Sequence, residues 1–169
     1  EVGQLNTINT TLEISGFWSK AYEVIVNANV VINANASGDQ ATINHYKGEA
    51  YALRALAHFD LLRIYGQQNV DGGGMSALGV PYVKNYGEKI SPKRNTVQEV
   101  YDNAMAYLDQ AISLLSASKD DKTKHYITTN AAKAIKARIA LYFKKYDIAK
   151  KYAKEVIDSG KYSVATSKA

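Results

Sequence analysis

Apolar residues recur along this chain at helical spacing. From about Ser15 to Asn35, Phe17, Trp18, Ala21, Val24, Ile25, Ala28, Val31 and Ile32 fall in one broad arc at about 100° per residue, with Ser19, Lys20, Glu23 and Asn27 outside it. The pattern is that of a helix covered on one side. "NASGD" ends it, and Asp39 is placed to cap a second helix that runs to Tyr65, with Gly66 just past its end. These two helices are expected to form a hairpin. A third starts at the capping box Thr96-Val-Gln-Glu99 and carries Val100, Tyr101, Ala104, Leu108, Ala111 and Leu115 on one face. A fourth is expected from about Asn130 to Phe143 and a fifth from about Asp147 to Asp158, where Ser159 and Gly160 stop it. In this last pair Ala137, Ala149, Ala153 and Val156 stand where a tetratricopeptide-type hairpin needs small residues, although the Trp, Gly and Pro of that repeat are missing. "AYALRA" at 50–55 is faintly repeated by "AKAIKA" at 132–137, at a spacing that does not match the repeat.

Between the second and third helices, residues 66–95 ("GQQNVDGGGMSALGVPYVKNYGEKISPKRN") contain a triple glycine, both prolines and no sustained period. Loops longer than about 12 to 15 residues are uncommon in compact domains and tend to carry function, so a site is to be sought here before the helices. "GVPYV" is expected to run extended along the surface.

The second helix places Glu49, Arg54, His58, Asp60 and Arg63 in an otherwise apolar run. Glu49 and Asp60 share an azimuth but stand ~16 Å apart along the axis, too far for a catalytic carboxylate pair. Glu49, Asp60 and Arg63 form one polar stripe, and Lys47, Arg54 and His58 a second on the opposite side. Two apolar faces remain, one with Ala50, Leu53, Ala57, Leu61 and Ile64, the other with Tyr51, Ala52, Ala55, Phe59 and Leu62. The helix is expected to pack on both flanks and to keep its charges in water, with Asp60 and Arg63 paired at i,i+3.

Composition narrows the picture. With 169 residues, 46% of them hydrophobic and 22% charged, the chain is read as one helical domain over 1–169. No run of roughly 20 apolar residues is present to span a bilayer. The chain opens "EVGQLNTINTT" with no basic or apolar leader, so any signal peptide is expected to have been removed or to lie outside these residues. The absence of Cys excludes disulfides, thiolate ligands and thiol nucleophiles. Net charge is +5 with pI about 9.2, but the lysines are dispersed. Their densest group, Lys144, Lys145, Lys150, Lys151 and Lys154, is expected to be a solvated helix face, with a nucleic-acid surface as the lesser reading.

Catalytic patterns are lacking. His45, His58 and His125 show no metal-ligand spacing, and there is no G-x-S-x-G, Walker loop or G-x-G-x-x-G. Tyr dominates the aromatics, 13 against 3 Phe and 1 Trp, so the ring chemistry of the chain is largely phenolic. Tyr22, Tyr51, Tyr101, Tyr142 and Tyr152 lie in helices and are read as packing. Tyr82 and Tyr86, in the long loop, are candidates for stacking on a sugar, as is Trp18 near the start of its helix, where a core role is the competing reading. "NTT" at 9–11 and "NAS" at 35–37 fit the glycosylation pattern.

Several motifs in order, "FWSKAYEVIVNANVVI", "GEAYALRALAHFDLLRIYG", "GVPYV", "RNTVQEVYDNAMAYLDQAISLL", "AAKAIKARIALYF" and "KYDIAKKYAKEVIDSGKYSV", resemble the SusD/RagB family of nutrient-binding outer-membrane lipoproteins of Bacteroidetes over nearly the whole chain. The resemblance implies an all-α fold of tetratricopeptide-like helical hairpins, an α–α superhelix of about five main helices with the long loop inserted. It also implies a non-catalytic, cofactor-free, surface-exposed protein of the outer membrane, held by a lipid anchor outside this segment. The implied partners are an oligosaccharide and a TonB-dependent transporter of the SusC type, and not nucleic acid. Family members are longer, with a lipidated Cys upstream and a loop-rich C-terminal half. No residue here matches the family's aromatic glycan arc, so Trp18, Tyr82 and Tyr86 rest on residue type and placement alone. The alternative is a helical scaffold that docks on a transporter partner.

Overall fold

The structure is a computed structural model that describes residues 12–85, 92–115 and 125–163. Among these it contains five helices and no strand: α1 (Leu12–Asn33), α2 (Gln40–Tyr65), α3 (Val97–Leu114), α4 (Thr129–Tyr142) and α5 (Tyr146–Asp158). The all-α expectation holds. No helix among the described residues is long and apolar enough to cross a membrane.

The boundaries follow local chemistry. The Asp39 carboxylate accepts from the Thr42 N–H at 2.8 Å and opens α2. At α3 the Thr96 hydroxyl accepts from the Glu99 N–H at 3.2 Å, while the Glu99 carboxylate accepts from the Thr96 N–H at 2.8 Å, which completes the capping box. Gly66 ends α2 in an extended conformation (φ −77°), so it is not the left-handed cap that a terminal glycine suggests. Crowding requires it instead: a Cβ there would stand 2.6 Å from the Leu62 carbonyl oxygen. Gly160 (φ +64°) does turn the chain left-handed after α5.

Each helix packs on its neighbours in sequence, and α2 also reaches α4. One core joins Ala52, Ala55 and Phe59 of α2 to Ala104, Leu108 and Ala111 of α3 and to Ile139 and Ala140 of α4. A second joins Ala21 and Ile25 of α1, Leu61 and Leu62 of α2, and Val97 and Val100 of α3 to two loop residues, Val80 and Tyr82. The "GVPYV" stretch therefore runs inside the molecule rather than along its surface, with Gly79, Val80 and Tyr82 buried. Its small and apolar residues fill the space that the α1–α2 hairpin leaves beside α3.

Four further expectations change. The second polar stripe of α2 is not in water: Arg54 is 2% exposed and His58 0%. Leu53 and Ile64, assigned to an apolar face, are exposed, so the covered sector of α2 is rotated toward Arg54 and His58. In α1 the arc exceeds its cover, because Ala21, Ile25, Ala28 and Ile32 are buried while Phe17, Val24 and Val31 are not. In α5 only Ala149 is buried and Ala153 is exposed, while in α4 Ala132 and Ala140 are buried and Ala137 is only partly so. The lysine group around α5 is exposed, as expected.

Candidate functional site

The long connection enters the fold through Arg94. Its guanidinium donates to the carbonyls of Gly79 (2.6 Å) and Tyr65 (2.8 Å), tying the loop to the last turn of α2. An isolated bridge between Leu78 and Thr96 closes the loop's base. From there residues 81–85 belong to no helix or strand, and buried backbone polar groups without partners would be destabilising.

Side chains supply those partners. The Tyr22 hydroxyl donates to the Pro81 carbonyl at 2.8 Å, and the Tyr82 N–H donates to the Asn95 side-chain oxygen at 2.8 Å. Val83 is held at both ends, its N–H donating to His58 Nε2 (3.1 Å) and its carbonyl accepting from Asn29 Nδ2 (3.2 Å). Asn29 also reaches the Asn85 carbonyl at 3.5 Å, and Asn33 the Lys84 carbonyl at 3.4 Å. Five side chains, three from α1, one from α2 and Asn95 just before α3, thus draw one short segment onto the helices.

Aromatic rings gather around it. The His58 ring stacks on Tyr82 at 3.7 Å between centroids, and Tyr107 lies parallel to Tyr82 at 5.9 Å. The Arg54 guanidinium rests over Tyr107 at 3.9 Å, an arrangement that compensates a buried cation through the ring quadrupole. At the outer end Trp18 meets Tyr22 at 4.9 Å and Tyr65 edge-on at 4.8 Å. Burial pushes the His58 pKa down to about 3; the Arg54 carbonyl opposes this shift and the Arg54 charge adds to it. His58 is therefore neutral in the folded protein at ordinary pH. Burial also raises the Tyr82 and Tyr22 hydroxyls well above the usual phenol range, so neither ionises there.

Between Trp18 and this segment lies a hollow of about 600 Å³, lined chiefly by Trp18, Tyr22, Tyr82, Lys84, Asn85 and Pro92. The structure thus brings Trp18 and Tyr82 to one place, although they are far apart in sequence. Their roles differ. Trp18 is half-buried, with part of its surface toward the hollow, whereas Tyr82 is 8% exposed and stacked, a wall rather than an open platform. Tyr86 lies outside the described residues. Among the described residues no carboxylate lines the hollow, and no three potential metal ligands cluster anywhere. The arrangement suits an uncharged or weakly charged ligand with a flat apolar face and several hydroxyls, which an indole and the polar groups of Lys84 and Asn85 can meet.

Asn29, Arg54 and His58 went unread as functional positions. Asn29 lies on the buried side of α1, between Ile25 and Ile32, and an amide on an apolar face is the one local sign that something polar has to be met there.

Together, fold and hollow define an all-α protein of stacked helical hairpins whose longest connection forms one wall of an aromatic-lined cavity. Residues 3–141 match the model of a family described as starch-binding and associating with outer membrane, and the chain belongs to this family of SusD-like proteins. It is 28% identical over 151 residues to the SusD-like protein P38 of Formosa agariphila, a match covering 89% of this chain and 28% of that protein. Among solved structures it is similar to a putative sugar binding protein from Bacteroides vulgatus (33% identity, TM-score 0.75, covering 85% of this chain and 33% of that one). It is also similar to a protein solved with xylogluco-oligosaccharide (25% identity, TM-score 0.77, covering 94% of this chain and 32% of that one). The chain spans about a third or less of the length of these relatives.

Proposed function

We propose that this chain is the helical part of a non-catalytic glycan-binding subunit, displayed at the outer membrane by a lipid anchor and working with a TonB-dependent transporter of the SusC type. Oligosaccharide is taken up in the hollow beside Trp18, with Tyr82 as its rigid wall and Lys84 and Asn85 as its polar rim. The observation that carries this reading is the convergence of a half-exposed indole, a stacked tyrosine wall and hydroxyl-matching side chains on one cavity of about 600 Å³. A relative solved with xylogluco-oligosaccharide adds support.

Trp18 is the sole tryptophan of these 169 residues, so in this chain tryptophan fluorescence reports on the hollow. Titration with malto-, laminari- and xylogluco-oligosaccharides is expected to shift Trp18 emission for at least one class. Trp18→Ala should weaken that binding by about tenfold, equivalent to the ~1.4 kcal/mol of a lost ring contact. Failure of every class to bind the full-length protein, by fluorescence and by calorimetry, refutes the reading. A scaffold role has one observation in its favour. A second groove, of about 600 Å³ between α1 and α2, is lined by the exposed apolar residues Val24, Val30, Val31 and Leu53. Capture of the co-encoded transporter by wild type, and its loss on Val31→Lys, would favour that role.

A further inference from the structure

Val83 is the one residue of the hollow's wall whose N–H and carbonyl both end on fully buried side chains, His58 and Asn29. Neither side chain is free to choose its orientation. Arg54 Nη1 donates to Asn29 Oδ1 at 2.7 Å, so the amide must turn its Nδ2 toward the Val83 carbonyl. The Arg54 carbonyl faces His58 Nδ1 at 2.8 Å and can only accept, so the proton sits on Nδ1 and the Nε2 lone pair is left for the Val83 N–H. One residue thereby sets the amide flip of one partner and the tautomer of the other. Its guanidinium is in turn fixed over Tyr107, and no carboxylate pairs with it among the described residues.

We propose that Asn29, Arg54 and His58 are positioning residues of the ligand hollow: they clamp Val83 and so hold the wall bearing Tyr82, Lys84 and Asn85 in the geometry that binds. This rests on the reading of the hollow as a glycan site, and the test separates the two. His58→Gln keeps an acceptor where Nε2 stands, and His58→Leu removes it. Asn29→Asp keeps the acceptor for Arg54 but turns a carboxylate oxygen toward the Val83 carbonyl.

Affinities for the malto-, laminari- and xylogluco-oligosaccharides are measured by calorimetry, alongside thermal midpoints and Val83 amide exchange by NMR. Asn29→Asp and His58→Leu should weaken binding by about tenfold or more, the scale of one unmet buried polar group, whereas His58→Gln should stay within about threefold of wild type. Asn29→Asp and His58→Gln should keep midpoints near the wild-type value. Val83 exchange should accelerate in His58→Leu and stay protected in His58→Gln. The clamp is overturned if affinity merely tracks the thermal midpoint across all variants, or if Val83 stays protected in His58→Leu. Should no oligosaccharide bind wild type, the glycan reading falls, and Val83 exchange alone decides whether the clamp exists.

Discussion

His58 has to stay neutral for the loop to stay in place. Its pKa is about 3 in the folded protein, against about 6.5 in an unfolded chain. Between those values the unfolded state holds a proton that the folded state lacks, so the contribution is complete above about pH 6.5 and declines as pH falls toward the folded value. For one proton the slope reaches about 1.4 kcal/mol per pH unit. Denaturant unfolding at about pH 7 and about pH 4.5 should therefore show a loss of stability in wild type that is smaller in His58→Gln, and equal losses would contradict the assignment. Little at this scale was legible beforehand. Arg54 and His58 sit four apart, and a solvated stripe was the natural inference, because no local pattern reveals a tyrosine arriving from α3 or a carbonyl from a loop. Trp18 and Tyr82 could be singled out by residue type, an indole near a helix start and a phenol in a long loop, but nothing in one dimension says that they meet at one hollow.

Elements were read more faithfully because their signals are short. Helix starts at Asp39 and Thr96 depend on side chains within three residues of the cap, and both bonds are present. The Glu99 carboxyl is held below its ordinary pKa, chiefly by the Thr96 N–H and then by Asn95. Asn95 also accepts from the Tyr82 N–H, so the start of α3 and the wall of the hollow share a residue. Thr96→Ala should lower stability by about 1 kcal/mol and leave oligosaccharide affinity largely intact, measured by denaturant unfolding and calorimetry. Where α2 meets α3 the helices nearly touch: a Cβ on Gly48 would stand 2.8 Å from Leu115 Cγ and 3.2 Å from its backbone nitrogen. Gly48→Val should destabilise by about 1–3 kcal/mol through overpacking, and a neutral result would mean that α3 can retreat. The interior course of the loop escaped sequence reading because nothing within residues 66–95 states that helices will cover it. Val80 and Tyr82 become core only by meeting Ile25, Leu61 and Val100.

On the scale of the molecule, apolar surface is unevenly covered. The groove between α1 and α2 exposes Val24, Val30, Val31 and Leu53, and the outer ends of α4 and α5 expose Leu141, Tyr146 and Ile157. A contiguous apolar groove such as the first is uncommon on free-standing monomers. The chain, which corresponds to about a third or less of its relatives' length, is expected to bind anilinonaphthalene sulfonate in the native state. Val31→Lys should reduce that signal and change stability by no more than about 0.5 kcal/mol. An unaltered signal would place the dye elsewhere.

The backbone of residues 81–85 is fastened by side chains that belong to other parts of the chain, so its course does not depend on its own outward side chains. Lys84 and Asn85 are exposed on a rail whose course is dictated from beneath. On the glycan reading proposed above, such an arrangement uncouples taste from architecture: the preferred sugar would change by editing two positions, and a protein engineer can randomise the same two positions without redesigning the fold.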